Sequence, residues 1–299
     1  MDTEKNINLS QRQLKTKSQP VSPKLNHIKN IKSWGIFMAA CVLFVLYIFP
    51  FALILINSFK SRLEIVDSPL ALPSGLNFDN YREAYKTMNF TTAILNSFII
   101  TVVSVTLIIV FSSMLAYFLV RWRWKINNII LLGLIASMII PFQALMIPFV
   151  SIYGRLGLLN SKWTLSFFYL GFGVSLATFM YHGFIKSIPV ELEEAALIDG
   201  ASRLQVFWKI VFPILKPITT TIAILDVLWI WNDFLLPSLV LVSDEQRTLP
   251  LSTFYFFGKY TSDFGLAMAG LVLSIIPVII FYIIMQKQII KGVIDGAIK

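Results

Sequence analysis

Two aspartates, Asp226 and Asp233, sit seven residues apart inside an otherwise apolar stretch. A helix would put them on roughly one face. If that stretch crosses a membrane, such carboxylates are costly to hold and mark ion or substrate paths, or line the path structurally. Catalytic chemistry finds no comparable footing. The chain has no Ser-His-Asp, Cys-His or paired-carboxylate constellation, and no GxxxxGK[ST] string to cradle a phosphate. The single cysteine, Cys41, excludes an intrachain disulfide and a Cys-based cluster, and with only His27 and His182 beside it no zinc site is expected. The chain is therefore expected to be no enzyme, and to carry no metal and no cofactor of its own.

Around Asp233 the residue types suggest recognition. Trp229, Trp231, Asn232 and Asp233 together offer aromatic faces and hydrogen-bonding groups, and Gln143 lies in another apolar run. Such a set suits a solute that presents both apolar faces to stack and polar groups to bond. The competing reading is ordinary aromatic content of lipid-facing and interfacial helices. From the residues alone these stay candidates for a substrate pathway.

The elements that position these residues follow from hydropathy. Of the 299 residues 57% are hydrophobic and only 14% charged, against about a quarter charged in soluble domains; the mean hydropathy is +0.74. A soluble helical core cannot bury so much apolar surface, whereas lipid can. Six hydrophobic segments, about 34–59, 92–120, 127–150, 163–185, 217–241 and 265–286, reach the length of a helical crossing. The alternation of a membrane barrel is absent. The expectation is an all-α membrane protein with six transmembrane helices. A basic tail (1–33) precedes a six-helix transmembrane domain (34–286), and a short tail (287–299) follows it. The first tail is read as mobile and adsorbing to anionic lipid; the run after it is too long for a signal peptide.

The net charge of +9 is spread over the connecting segments, which argues against nucleic acid. Seventeen Lys and Arg fall on the side of the two tails, and eight on the other side against seven acidic residues. This places both termini in the cytoplasm. Pro50, Pro141, Pro148, Pro237 and Pro277 lie inside the crossings, where each bends its helix. The bends open cavities fit for transport, or they are the ordinary composition of membrane helices.

The longest loop on the cytoplasmic side, Ser187 to Pro217, looks folded. Pro189 suits a first helical turn, and Glu191, Glu193 and Glu194 favour its positive end. Gly200 stands where a left-handed cap ends that helix. Ser202 and Gln205 then have the spacing of a capping box opening a second helix, which Pro213 is expected to close. Ala195 and Ala196 leave a smooth patch that another protein can approach. On these grounds alone the loop is a docking surface or a hairpin that links two crossings.

One string goes further. Glu194-Ala195-Ala196, three residues, Gly200, nine residues, Ile210, one residue, then Phe212-Pro213 resembles the EAA loop of ABC importer permeases, with Phe212 replacing the usual Leu. Arg247-Thr248-Leu249-Pro250, Phe257-Gly258, Tyr260, Asp263-Phe264-Gly265 and Met268-Ala269-Gly270 resemble the maltose-type carbohydrate permeases. So do Trp231-Asn232-Asp233-Phe234, Asn80-Tyr81, Asn96-Ser97 and the end Gly292 to Lys299. The smaller, six-crossing permease is the nearest likeness. Amino-acid and phosphate permeases share only the loop.

The resemblance implies the type-I ABC importer permease fold. It implies a coupling helix docked on an ATPase subunit through Glu194, Ala195, Ala196, Asp199, Gly200 and Arg203, and a tail reaching the ATPases at Gly292 and Gly296. The implied partners are a homologous second permease, two ATP-binding cassette subunits that hold ATP and Mg, an extracytoplasmic sugar-binding protein, a sugar substrate and membrane lipid. The membrane would be the bacterial cytoplasmic membrane. Two alternatives stay open: import of another polar solute such as glycerol phosphate, and a gradient-driven secondary transporter, which the lack of an internal repeat or an intramembrane basic partner argues against.

Overall fold

The structure is a computed structural model that describes residues 23–122, 124–259 and 263–297, with side chains for most of 34–287. Every element among the described residues is helical. The chain divides into two compact units, Met1–Leu53 and Ile54–Lys299.

The first unit holds most of helix α1 (Pro23–Asn57), with Pro50 inside it. The helix begins ahead of the boundary expected at 34, and residues 1–22 of the basic tail lie outside the described residues. Apolar side chains such as Leu43 and Leu46 are exposed along it. In lipid such exposure is the favourable state.

The second unit continues with α2 (Arg62–Asp67), α3 (Asp79–Thr87), α4 (Phe90–Arg121), α5 (Lys125–Ser137), α6 (Phe142–Arg155) and α7 (Lys162–Ile185). Then come α8 (Glu191–Ile198), α9 (Arg203–Val206), a π-helical turn (Phe207–Val211) and α10 (Phe212–Ile214). The chain finishes with α11 (Lys216–Asn232), α12 (Leu235–Val240), a 3₁₀ turn (Asp244–Gln246), α13 (Leu249–Lys259) and α14 (Phe264–Ala297).

Among the described residues, four helices are long and apolar enough to cross a membrane: Trp34–Asn57, Phe90–Arg121, Lys162–Ile185 and Phe264–Lys287. Two bent pairs, Lys125–Ser137 with Phe142–Arg155 and Arg203–Ile214 with Lys216–Asn232, bring the number to six when each pair counts as one span.

Three of the expected crossings differ in detail. The third is not one bent helix over 127–150. It breaks before Pro141, and its halves turn by 101°. Pro141 holds an extended ψ of 135°, and a proline disfavours helical geometry in the residue before it. The fifth crossing stops at Asn232 instead of running to 241. Asp233 is extended there, and its Oδ1 accepts from the Leu235 N–H at 2.9 Å. That is an Asx turn, which competes with the helix, and Pro237 has no N–H with which to continue the ladder. The sixth helix does not stop near 286; it runs unbroken through Gly292 and Gly296 to Ala297.

Helix association in lipid depends on close packing and interhelical hydrogen bonds more than on apolar burial. The parallel helices α4 and α7, whose N-terminal ends meet where Lys162 Nζ donates to Asn96 Oδ1 at 3.3 Å, show both. A Cβ built on Gly173 would lie 2.5 Å from Ile108 Cδ1, so the tip of the Ile108 side chain fills the space that the glycine leaves open. Ile100, Ile108, Leu165, Tyr169, Tyr181 and Ile185 fill the core around them. A smaller core gathers Ala84, Met88, Leu249, Phe256 and Ala269.

The end of the bundle where α4 begins is latched by motif residues. Asn96 Nδ2 donates to the carbonyls of Glu245 at 2.8 Å and Arg247 at 3.2 Å, and Ser97 Oγ accepts from the Leu249 N–H at 2.8 Å. Asn80 Nδ2 donates to the carbonyls of Ser58 and Lys60, both at 2.9 Å. Gly265 sits against this clasp, where an added Cβ would be 2.6 Å from the Lys60 carbonyl oxygen. Phe257, Gly258 and Tyr260 lie outside what the structure describes at side-chain level.

Candidate functional site

At the other end of the bundle, α8 and α9 form a hairpin. α8 starts with Glu191, Glu193 and Glu194 in its first turn, where the helix dipole favours negative charge. It ends at Gly200, whose φ is +86°. The Gly200 N–H donates to the Leu197 carbonyl at 3.1 Å, and the Ala201 N–H to the Ala196 carbonyl at 3.0 Å. This pair of bonds is the Schellman motif. Ala196 and Ala201 also pack on the core, supplying the apolar contact that accompanies it. The second helix opens with the capping box read from the sequence: Gln205 N–H donates to Ser202 Oγ at 3.3 Å, and Ser202 N–H to Gln205 Oε1 at 2.7 Å.

Pro213 does not close this second helix. The chain widens into the π-helical turn, where the Phe212 N–H reaches the Phe207 carbonyl five residues back, and α10 carries Pro213 inside it. The wider turn makes room for a residue without an N–H. The direction changes only at Leu215, where α11 departs at 75°.

The hairpin presents two kinds of residue. Glu194, Ala195, Asp199 and Gly200 are exposed, as are apolar Leu192 and Ile198, the latter at 85%. Such an apolar and acidic surface is suited to receive a partner. Ala196 is half-buried and faces the core. Arg203 is exposed and lies over a side chain at the end of α4, its guanidinium carbon 5.0 Å from the centre of the Trp122 ring, a cation–π contact.

Glu193 was read from the sequence only as a favourable charge in the first turn. The structure buries it, with 6% of its side chain exposed. Arg121, the last residue of α4, donates from Nε to Glu193 Oε1 at 2.7 Å and from Nη2 to the Ile188 carbonyl at 3.1 Å. Tyr117 Oη donates to Glu193 Oε2 at 2.8 Å. The signal in the sequence is faint: an Arg closing an apolar run, with a Tyr one turn before it.

The pathway candidates divide into separate places. Tyr169, fully buried on α7, donates to Asp233 Oδ2 at 2.8 Å and meets Trp229 edge-on, ring centres 5.5 Å apart. Trp231 and Asn232 instead line an apolar cavity of about 520 Å³ with Phe90, Phe98, Pro277 and Phe281. Two residues apart on a helix, Trp229 and Trp231 point to different sides. Asn232 Nδ2 turns back to the Leu228 carbonyl at 2.7 Å. Gln143 is exposed on the first turn of α6, and no hydrogen bond links it to either group among the described residues. Asp226 is buried at 6% exposure, and its Oδ2 has no hydrogen-bond partner among the described residues. No group of three His, Cys, Asp or Glu side chains among them lies close enough to hold a metal ion.

Comparison with known proteins places this geometry. The family described as "Binding-protein-dependent transport system inner membrane component" matches residues 108–295, which include the hairpin and the pathway candidates of α11. The chain is 49% identical to the probable starch degradation products transport system permease protein AmyC of Thermoanaerobacterium thermosulfurigenes, over 86% of this chain and 94% of that one. It is 39% identical to the multiple sugar-binding transport system permease protein MsmG of Streptococcus mutans, over 85% and 93%. Among solved structures, it matches a chain of a bacterial ABC transporter involved in the import of the acidic polysaccharide alginate, with a TM-score of 0.69 and 25% identity, over 90% of this chain and 99% of that one.

Proposed function

The chain belongs to the family of binding-protein-dependent transport system inner membrane components, and from that premise we propose that it forms half of the translocation pathway of an ATP-driven sugar importer. Oligosaccharides are the proposed substrate class, since relatives are named for starch degradation products and for multiple sugars. The chain is a multi-pass membrane protein with the type-I ABC importer permease fold and no catalytic role of its own. Its termini and the hairpin are assigned to the cytoplasm by the distribution of Lys and Arg.

The observation that carries this reading is the hairpin: a rigid Schellman turn and capping box holding Glu194, Ala195, Asp199 and Gly200 at the surface. A loop that merely linked α7 to α11 has no need of a preorganised, partly apolar outer face. The proposed partners are a homologous permease, two ATPase subunits that bind ATP and Mg, and an extracytoplasmic binding protein. ATP closes the ATPase dimer, the hairpins move with it, and the crossings rock to open the pathway outward. The shift can be no larger than the differential binding energy that ATP and the binding protein supply. Uptake of a panel of labelled mono- and oligosaccharides by proteoliposomes, with and without this chain, tests the reading. Sugar uptake independent of the chain would defeat it.

A further inference from the structure

We infer that the Arg121–Glu193–Tyr117 cluster is a strut that makes the hairpin move as one body with α4, a crossing to which it is not connected in sequence. The inference rests on the coupling role proposed above and names the residues that deliver it.

The hairpin joins α7 to α11 along the chain, yet its buried polar contacts go to the end of α4. Before the turn, Glu193 takes bonds from Arg121 at 2.7 Å and Tyr117 at 2.8 Å, and Arg121 also holds the Ile188 carbonyl at 3.1 Å. After the turn, Arg203 lies over Trp122 at 5.0 Å, and Phe207 packs on Tyr117 with ring centres 5.2 Å apart. Both halves of the hairpin therefore clasp one short segment, 117–122. A buried ion pair contributes little to stability compared with an apolar replacement, while fixing geometry is its better-attested use. Here both carboxylate oxygens of Glu193 are occupied, so the side chain holds one position relative to α4.

The far end of α4 is fixed as well. Asn96 holds the carbonyls of Glu245 and Arg247, and Ser97 holds the Leu249 N–H. From Arg121 to Asn96 is about 37 Å of uninterrupted helix at the usual rise. A displacement of α8 is thus handed to α4 at Glu193 and arrives at the 244–249 segment at the opposite end of the bundle.

The test uses the reconstituted complex of permeases, ATPase subunits and binding protein. Arg121→Gln and Glu193→Gln should each lower the number of sugars moved per ATP hydrolysed by about fivefold or more, while the ATPase subunits still co-purify. The charge-swapped double variant, Arg121→Glu with Glu193→Arg, should recover much of that ratio. Single variants with the unaltered protein's ratio would overturn the strut. Failure of the unaltered chain to co-purify with ATPase subunits would instead remove the coupling role itself. A second measurement leaves the strut intact, with spin labels at Glu191→Cys and Phe111→Cys in a Cys41→Ser background. Their separation should be the same without nucleotide and with ATP bound, and a separation that changes between the two states would overturn the inference.

Discussion

The N–H of Ala201 reaches back over Gly200 to the carbonyl of Ala196 at 3.0 Å, and the hairpin keeps its shape only while Gly200 holds a φ of +86°. That conformation is open to glycine, tolerated by asparagine and strained for β-branched side chains.

A graded series at this position follows. Left-handed backbone costs a residue with a Cβ about 1–2 kcal/mol, enough to shift a docking equilibrium roughly tenfold. Gly200→Asn should keep most ATPase-subunit binding, Gly200→Ala less, and Gly200→Val least, while all three still insert. No side chain would meet a steric obstacle, since nothing lies within 4 Å of an added Cβ; the ordering is therefore one of backbone preference. Co-purification of the ATPase subunits measures it, and equal binding by all three would show that the turn does not set the docking geometry.

Orientation is checked by cysteines at two exposed sites, Arg82 and Asp199, each in a Cys41→Ser background. In intact cells an impermeant thiol reagent should label Arg82→Cys and leave Asp199→Cys unlabelled. The reverse pattern would invert the assignment of both termini.

The hairpin was legible in the sequence because its signals are local: Gly200, the Ser202–Gln205 spacing and the acidic first turn lie within fifteen residues. Its anchorage was not, because Arg121 and Glu193 are 72 positions apart, and three glutamates within four residues give no sign of which one is buried. The broken fifth crossing was missed for a different reason. Hydropathy continues through Phe234 and Leu236, so an apolar pattern runs on across a backbone that Asp233 has already turned. Trp229 and Trp231 were grouped by proximity along the chain, although a helix separates them by roughly 200°. Asn80, Asn96 and Gly265 were legible only as pieces of a family pattern. Their work as latches appears once the loops they bond are in place.

Gly265→Ala should loosen the clasp around Asn80. The new methyl would lie 2.6 Å from the Lys60 carbonyl oxygen and 2.8 Å from Asn80 Nδ2, and backbone must shift to admit it. Overpacking of this kind costs about 1–3 kcal/mol. The purified complex should show a lower midpoint of thermal aggregation, with unchanged binding of the ATPase subunits at the other end.

Asn96→Ala should weaken the same end by another route. It removes the donor shared by the Glu245 and Arg247 carbonyls, and a buried group left without its partner costs about 1–3 kcal/mol. Faster amide exchange in 244–249 than in the unaltered protein is the expected result, and unchanged exchange would show that the latch is not holding that segment.

The most direct measurement of the coupling account is labelled-oligosaccharide uptake in proteoliposomes holding the whole complex, with ATP and an imposed ion gradient supplied separately. Uptake should require ATP inside and the binding protein outside, ignore the gradient, and be lost in Gly200→Val even though that variant inserts. Uptake driven by a proton or sodium gradient without ATP, or undiminished in Gly200→Val, would contradict the account.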